Sequence, residues 1–291
     1  MPLKVASLNV RGLNAHADSL GGIPKRVALW KWVKVHKIDV LLLQETHATT
    51  STATGFWTKQ WGGQALWAPS TTPHSGGTAI LVTRQIKGTL KNKSTGPDGS
   101  WAREDLETEE GTLTFLSAYA PTDPPARGQW IQNTLSQGLR NLKHPTIAGG
   151  DWNCVSNGTL DSISPYTGLL QGGKAIDQLM AENGRDDVLR ITQPDHKWFT
   201  RWEGLHGNRL DRIFASGSLC EETMHLAPIM CPWSDHYLLP CIFRAETTRW
   251  KRPAAITAEP TFSHPEMAVA MDKWDTQCGM TNAKAEPLNP E

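Results

Sequence analysis

The sequence predicts an α/β fold built in layers, and three features point to it. Two apolar runs, Lys4–Val10 and Asp39–Glu45, enclose a segment with helical spacing, which is the strand–helix–strand order of layered α/β proteins. A long middle stretch is β-rich and broken by paired glycines. A buried run from Thr146 ends in Gly149-Gly150 and leads into Asp151-Trp152-Asn153. In an extended chain Asp151 and Asn153 point to one face, and the glycines allow close approach of a backbone or a ligand.

The elements are justified in chain order. Lys4-Val5-Ala6-Ser7-Leu8-Asn9-Val10 reads as a buried strand, broken by Arg11-Gly12. Pro24 suits a first helical turn, and Val27, Leu29, Trp30 and Val33 recur at helical spacing from Arg26 to His36. Asp39 to Glu45 is the second buried strand. Gln64–Ala68 and Thr78–Val82 read as neighbouring strands around Gly76-Gly77. Asn92 to Ser100 reads as a polar turn; Trp101–Leu106 and Thr112–Tyr119 read as an antiparallel pair stopped by Pro121. Gln129–Leu142 and Gly173–Glu182 read as helices. Trp198–Trp202 and Arg209–Phe214 read as paired strands joined by Glu203–Asn208, and Tyr237–Arg244 as the last strand.

From Ala245 the composition shifts to Pro, Ala, Thr and Glu behind a basic Arg249-Trp250-Lys251-Arg252 segment. A boundary is expected there, giving a domain over 1–244 and a linker or connector over 245–291, with one short helix at Pro265–Trp274. The five cysteines are scattered without a CxxC pair, which argues against a zinc site or disulfide framework and fits an intracellular chain. No apolar stretch reaches membrane-spanning length, so no membrane partner is expected. The 29 basic and 29 acidic residues cancel, so contact with a polyanion must come from a local patch or a metal ion.

Polar residues gather where the apolar runs end: Asn9, Glu45, Tyr119, Asp151, Asn153, Thr200, Asp211 and Asp235-His236. In open α/β sheets, sites form at strand ends. This set contains carboxylates, amides, a phenol and an imidazole, but no serine or cysteine nucleophile beside a base. It suits a hard cation such as Mg²⁺ and phosphoryl transfer by positioning and charge neutralisation.

Six short motifs occur in order: SLNVRGL (Ser7–Leu13), LLQET (Leu42–Thr46), SAYAP (Ser117–Pro121), GGDWN (Gly149–Asn153), RLDRI (Arg209–Ile213) and WSDH (Trp233–His236). Together they resemble the endonuclease/exonuclease/phosphatase superfamily, which includes AP endonucleases and deoxyribonuclease I. Within it the chain is most similar to the apurinic-like endonuclease domain of non-LTR (LINE-type) retrotransposons. Arg11 sits where AP endonucleases usually carry Asp, and Asp186–Thr200 and Glu259–Trp274 resemble retroelement sequence. The resemblance implies a four-layer α/β sandwich of two mostly antiparallel sheets flanked by helices, with the site at one rim. It also implies DNA as the substrate, Mg²⁺ or Mn²⁺ as cofactor, action in the nucleus, and a reverse transcriptase elsewhere on a longer polyprotein.

The resemblance further implies roles. Glu45 and Asp235 would hold the metal, with Asn9 orienting Glu45 or touching the ion. Asp151 would deprotonate the attacking water, Asn153 would hold Asp151 and the phosphate, and His236 would stabilise the transition state. Asp211 has two readings: it orients His236, or it forms a salt bridge with Arg209 or Arg212. Tyr119 either donates to phosphate or packs on Pro121, and Arg11 either binds phosphate or joins a surface network. Thr200, Ser234 and Trp202 are candidate DNA contacts, the last on a hairpin over Glu203–Asn208; Trp152 and Cys154 read as packing residues, and Asp187 as a structural partner of Arg190. The expected activity is hydrolysis that nicks DNA and leaves a 3′-hydroxyl to prime reverse transcription. Three other readings compete: a phosphatase for lipid or inositol phosphates, an AP-site repair endonuclease, and a silent nucleic-acid binder.

Overall fold

The computed structural model describes residues 2–14, 24–51, 54–220 and 223–244. The expected connector and its short helix lie outside the described residues. The strands in chain order are β1 (Leu3–Asn9), β2 (Val40–Gln44), β3 (Gln64–Ala68), β4 (Thr78–Val82), β5 (Thr89–Thr95), β6 (Trp101–Thr108) and β7 (Gly111–Tyr119). They continue with β8 (Thr146–Asp151), β9 (Arg185–Asp187), β10 (Arg201–Glu203), β11 (His206–Asn208), β12 (Asp211–Ser216), β13 (Thr223–His225) and β14 (Leu239–Phe243). One six-stranded sheet runs β13-β14-β1-β2-β4-β3, the other β5-β6-β7-β8-β12-β9. Each is mixed, with one parallel pair, β1–β2 or β7–β8, among antiparallel neighbours.

The sheets face each other because their strands are apolar on both faces. Val5, Leu42, Ile80, Phe115, Ile147 and Ile213 fill the gap between them. Outside the first sheet, α1 (Lys25–Val35) and α2 (Thr54–Trp61) bury Trp30, Val33 and Trp61 against Leu8, Leu41 and Leu43. Outside the second, α3 (Pro124–Trp130) and the helix Gly173–Glu182 pack Trp130 and Met180 against Leu116, Ala148, Trp152 and Phe214. The result is the four-layer order helix, sheet, sheet, helix. Each large apolar side chain so buried contributes about 1.5–3 kcal/mol. The paired glycines serve this packing: a Cβ on Gly149 would lie 2.8 Å from Leu42 Cδ1 across the gap, and one on Gly150 would lie 2.2 Å from Ala118 O.

Four local expectations are corrected. Asn92–Ser100 is not all turn: β5 runs to Thr95 as an edge strand, with only Leu90 buried, so alternation is nearly absent from its sequence. The helix expected from Gln129 starts at Pro124, because prolines fit a first turn and Asp123 caps it, accepting from Ala126 N at 2.9 Å. It continues through a π-helical turn, Ile131–Leu135, and ends at Gly138 rather than Leu142. Residues 198–202 do not pair with 209–214: β10 pairs with β11 in a separate hairpin, while β12 joins the second sheet.

One carboxylate sits in the layer between the sheets. Glu104 alternates with Ala102 and Leu106 on β6, is fully buried, and neither of its oxygens has a hydrogen-bond partner. Burial pushes its pKa up to about 8, Lys93 opposing and Asp105 adding to the rise. An acid whose folded pKa is raised favours the fold below its unfolded pKa of 4.5 and loses that contribution as pH climbs through about 8. Glu104→Gln is therefore expected to flatten the decline between pH 5 and 8 and to stabilise the protein at pH 8 by about 1–3 kcal/mol. Urea unfolding at both pH values measures this; identical pH slopes for the two proteins would contradict it.

Candidate active site

Strand register sets the site. Tyr119 of β7 lies opposite Asp151 of β8, and Asp211 of β12 lies opposite Asp151 from the other side. Three polar residues thus form one row at the edge of the second sheet. In the first sheet Asn9 pairs with Gln44, and Glu45 follows directly. The two edges meet through the Asn9 amide, whose nitrogen donates to Glu45 Oε1 and to Asp151 Oδ2, both at 2.9 Å. Asn9 is fully buried, so these bonds fix the distance between the sheets at this rim.

Four non-glycine residues here adopt left-handed backbone: Arg11 (φ 47°), Glu45 (φ 49°), His47 (φ 54°) and Asn153 (φ 50°). Each costs about 1–3 kcal/mol, a cost that clusters at functional sites. The Asn153 turn overrides the strand alternation expected for Asp151-Trp152-Asn153. Asn153 leaves the strand, donates from its backbone to Asp151 Oδ1 at 3.0 Å and from its amide to Ala120 O at 2.8 Å, and also bonds Tyr119. Asp151 and Asn153 therefore meet at the site by a turn rather than by a shared strand face.

His236 lies between two carboxylates. Its Nδ1 is 2.8 Å from Asp211 Oδ2 and its Nε2 is 3.8 Å from Asp151 Oδ2. All three groups are buried. Burial alone would lower the His236 pKa, but the negative charges of Asp211 and Asp151 outweigh it and raise the pKa to about 9. Burial raises Asp151, with the His236 charge opposing and Asp211 adding. The alternative partners of Asp211 are otherwise engaged: Arg209 pairs with Asp161 and Asp187, and Arg212 with Asp177. The ligand atoms of Asp151, Asp211 and His236 all lie within 4.8 Å of one another. With the proton on His236, one positive charge faces two carboxylates, so the trio keeps a net negative charge, and Asp211 Oδ1 is buried without a partner among the described residues.

Glu45 and Asp235 are the other two carboxylates at this rim that could hold a cation. Burial would raise the Glu45 pKa, but donors from His47, Asn9 and Tyr119 hold it down at about 2, so the carboxylate is ionised. His47 Nε2 lies 3.5 Å from Glu45 Oε2. Asp235 Oδ2 accepts from Arg201 Nε at 3.0 Å and pairs with Arg11 Nη1 at 3.1 Å. Its Oδ1 is buried with no partner among the described residues, a lone acceptor of the kind a hard cation takes. Burial would raise the Asp235 pKa, yet the His236 charge, the Arg201 bond and Arg11 keep it below its usual value.

The structure brings Asn9, Glu45, Tyr119, Asp151, Asn153, Asp211, Asp235 and His236 together. The Tyr119 hydroxyl bonds Glu45 and Asn153 rather than serving only as packing on Pro121. Two expected DNA contacts turn inward instead. Thr200 Oγ1 accepts from Leu210 N (3.1 Å) and Asp211 N (3.0 Å) and is fully buried. Ser234 Oγ donates to Asn9 O (2.7 Å) and accepts from His236 N (3.1 Å). Both hydroxyls tie together the chain segments that form the candidate site, because the positions that carry them are covered. Trp202 is half-exposed on the β10–β11 hairpin and packs edge-on against Phe199. Trp152 and Cys154 are packing residues in the outer layer. Asp187 is structural, but it pairs with Arg209, while Arg190 pairs with Asp161.

Sequence reasoning missed His47, Arg201 and Arg127. The first two flank recognised residues, within two positions of Glu45 and next to Thr200, and that proximity was the available signal. Arg127 had none. Its buried guanidinium donates to the carbonyls of Pro121, Thr122, Asn153, Gly168 and Gln171 at 2.7–3.1 Å, tying together the loops behind Tyr119 and Asn153. Arg127→Met leaves those carbonyls without their donor and is expected to cost about 3 kcal/mol or more. Denaturant unfolding measures it; a cost below about 1 kcal/mol would contradict the assignment.

The Endonuclease/Exonuclease/phosphatase family matches residues 6–236 of this chain. A similar curated protein is the RNA-directed DNA polymerase from mobile element jockey of Drosophila melanogaster, 30% identical over 160 residues, or 52% of this chain and 15% of that protein. The probable RNA-directed DNA polymerase from transposon X-element of the same organism is 27% identical over 155 residues, 53% of this chain and 15% of that protein. The aligned segments thus span about 15% of the length of these relatives. Among solved structures, an AP endonuclease from Archaeoglobus fulgidus superposes with a TM-score of 0.67 at 20% identity, covering 84% of this chain and all of the other. The endonuclease domain of TRAS1, a telomere-specific non-LTR retrotransposon, gives 0.54 at 15% identity, covering 84% and 100%. At these identities the structural likeness speaks for the fold.

Proposed function

The chain belongs to the endonuclease/exonuclease/phosphatase family, and on that premise we propose that it is a DNA endonuclease that uses a divalent metal ion, Mg²⁺ or Mn²⁺. The observation that carries this reading is the row of Asp211, His236 and Asp151, which opposes an ionised Glu45 across the Asn9 bridge.

Glu45 and Asp235 would hold the metal, with Asn9 orienting Glu45. A bound divalent ion would supply charge neutralisation at a phosphate oxygen. Asp151, its pKa raised by burial, would accept the proton of the attacking water. Protonated His236 would donate from Nε2 to a non-bridging phosphate oxygen, while Asp211 holds its Nδ1–H and keeps the ring in place. Asn153 would hold Asp151 through its backbone N–H. The Tyr119 hydroxyl, placed beside Glu45, would donate to the phosphate as charge builds there.

The mobile-element relatives support a wider setting for this reaction. In it the nick would leave a 3′-hydroxyl and a 5′-phosphate, and the hydroxyl would prime reverse transcription by a polymerase region of the same polyprotein, in the nucleus. No helix of the described residues is long and apolar enough to cross a membrane. Substrate class is tested by offering the protein supercoiled plasmid and inositol polyphosphates side by side with Mg²⁺. Plasmid nicking without phosphate release from the inositol compounds is expected; the reverse pattern would overturn the DNA assignment.

A further inference from the structure

Arg11 is anchored at its backbone and exposed at its head. Its N–H donates to Asn9 Oδ1 at 3.0 Å, and the buried Lys25 ammonium donates to the Val10 and Arg11 carbonyls. Its guanidinium reaches Asp235 Oδ2 at 3.1 Å, yet the side chain is 58% exposed. Such an exposed ion pair is worth little, so the guanidinium can exchange partners cheaply. Arg201 meets the same Asp235 oxygen at 3.0 Å, is 30% exposed, and has a second partner in Glu203 at 3.4 Å. Two guanidiniums thus crowd one carboxylate oxygen while Oδ1 has no partner. Two positive heads at this carboxylate oppose arrival of a divalent cation.

We propose that Arg11 is an exchangeable clamp: a DNA phosphate takes its guanidinium away from Asp235, and the freed carboxylate is then fit for the metal. This rests on the metal-dependent nuclease reading above and adds a coupling that the reading does not require. A guanidinium forks equally well onto a carboxylate or a phosphate, and the phosphate keeps both of its donors engaged. Arg201 stays on Asp235 and holds its orientation. Binding of DNA and of metal are then linked, and by reciprocity each strengthens the other.

The test uses DNA affinity in EDTA, where no metal contributes, with four proteins: wild type, Arg11→Gln, Asp235→Asn and the double variant. If Asp235 competes with phosphate for Arg11, Asp235→Asn tightens DNA binding at least fivefold when Arg11 is present and less than twofold when it is Gln. Equal gains in both backgrounds would overturn the clamp, since they would reflect only the lost negative charge. A second arm titrates Mn²⁺ calorimetrically without DNA. Arg11→Gln is expected to bind the ion several-fold more tightly than wild type, and to match it within twofold once uncleavable DNA is bound. An unchanged or weaker DNA-free affinity would also overturn it. Circular dichroism confirms that each variant is folded. If all four folded proteins fail to bind DNA, the nuclease reading itself falls, and the clamp with it; DNA binding with equal gains removes only the clamp.

Discussion

Asp151→Asn is expected to lower the rate of plasmid nicking by about a thousandfold, within the range of a lost general base. Asn keeps the size of the side chain and can still accept at Oδ1 from Asn153 N, so the turn is retained. It cannot take a proton from water. It also removes one of the negative charges that hold His236 protonated. The bond from Asn9 weakens as well, because Asn9 Nδ2 now meets a neutral acceptor or an amide of like polarity. Chemistry and positioning are struck together, and the loss should appear in kcat with DNA affinity nearly unchanged. Single-turnover nicking beside a DNA-binding titration checks this. A variant within tenfold of wild-type rate would show that another group activates the water.

Glu45→Gln is the second large effect. Glu45 is ionised at neutral pH, flanked by His47, Asn9 and Tyr119, and follows directly on β2. Replacing it removes the negative charge from the proposed metal position while leaving an isosteric oxygen. The metal concentration for half-maximal rate should rise at least tenfold, and the maximal rate should fall about a hundredfold or more. The fold should survive, because the Asn9 amide can still donate to the Gln oxygen. A titration of rate against Mg²⁺ measures both numbers. Unchanged metal dependence with a reduced rate would place the ion elsewhere and leave Glu45 as an orienting residue.

How much of this was legible in the sequence depended on whether local pattern carried the signal. β1, β2, β7 and β8 announced themselves as apolar runs because both their faces are buried, one between the sheets and one under helices. The residues that end those runs became the site because register brings Tyr119, Asp151 and Asp211 into one row. β5 was hidden by its polarity, which suits an edge strand. The hairpin β10–β11 was misassigned because residues 209–214 look equally able to pair with 198–202. Only three dimensions show β12 claimed by β8 and β9.

The inward turn of Thr200 and Ser234 could not be read from composition. A hydroxyl at a strand end faces solvent or backbone according to what covers it, and here backbone N–H and C=O groups do. Asp211 left two readings open in sequence, because Arg209 and Arg212 are its neighbours. Strand alternation and the competing acids Asp161, Asp177 and Asp187 draw both arginines away and leave Asp211 to His236. Arg127 was invisible because its partners are carbonyls, which every residue carries.

The central claim is tested most directly by incubating the protein with supercoiled plasmid in Mg²⁺ and in EDTA, beside an Asp151→Ala, His236→Ala double variant. Conversion to open circles is expected with Mg²⁺ and wild-type protein, and is expected to be absent with EDTA or with the double variant. Nicking that persists in EDTA, or equal nicking by the double variant, would contradict the account.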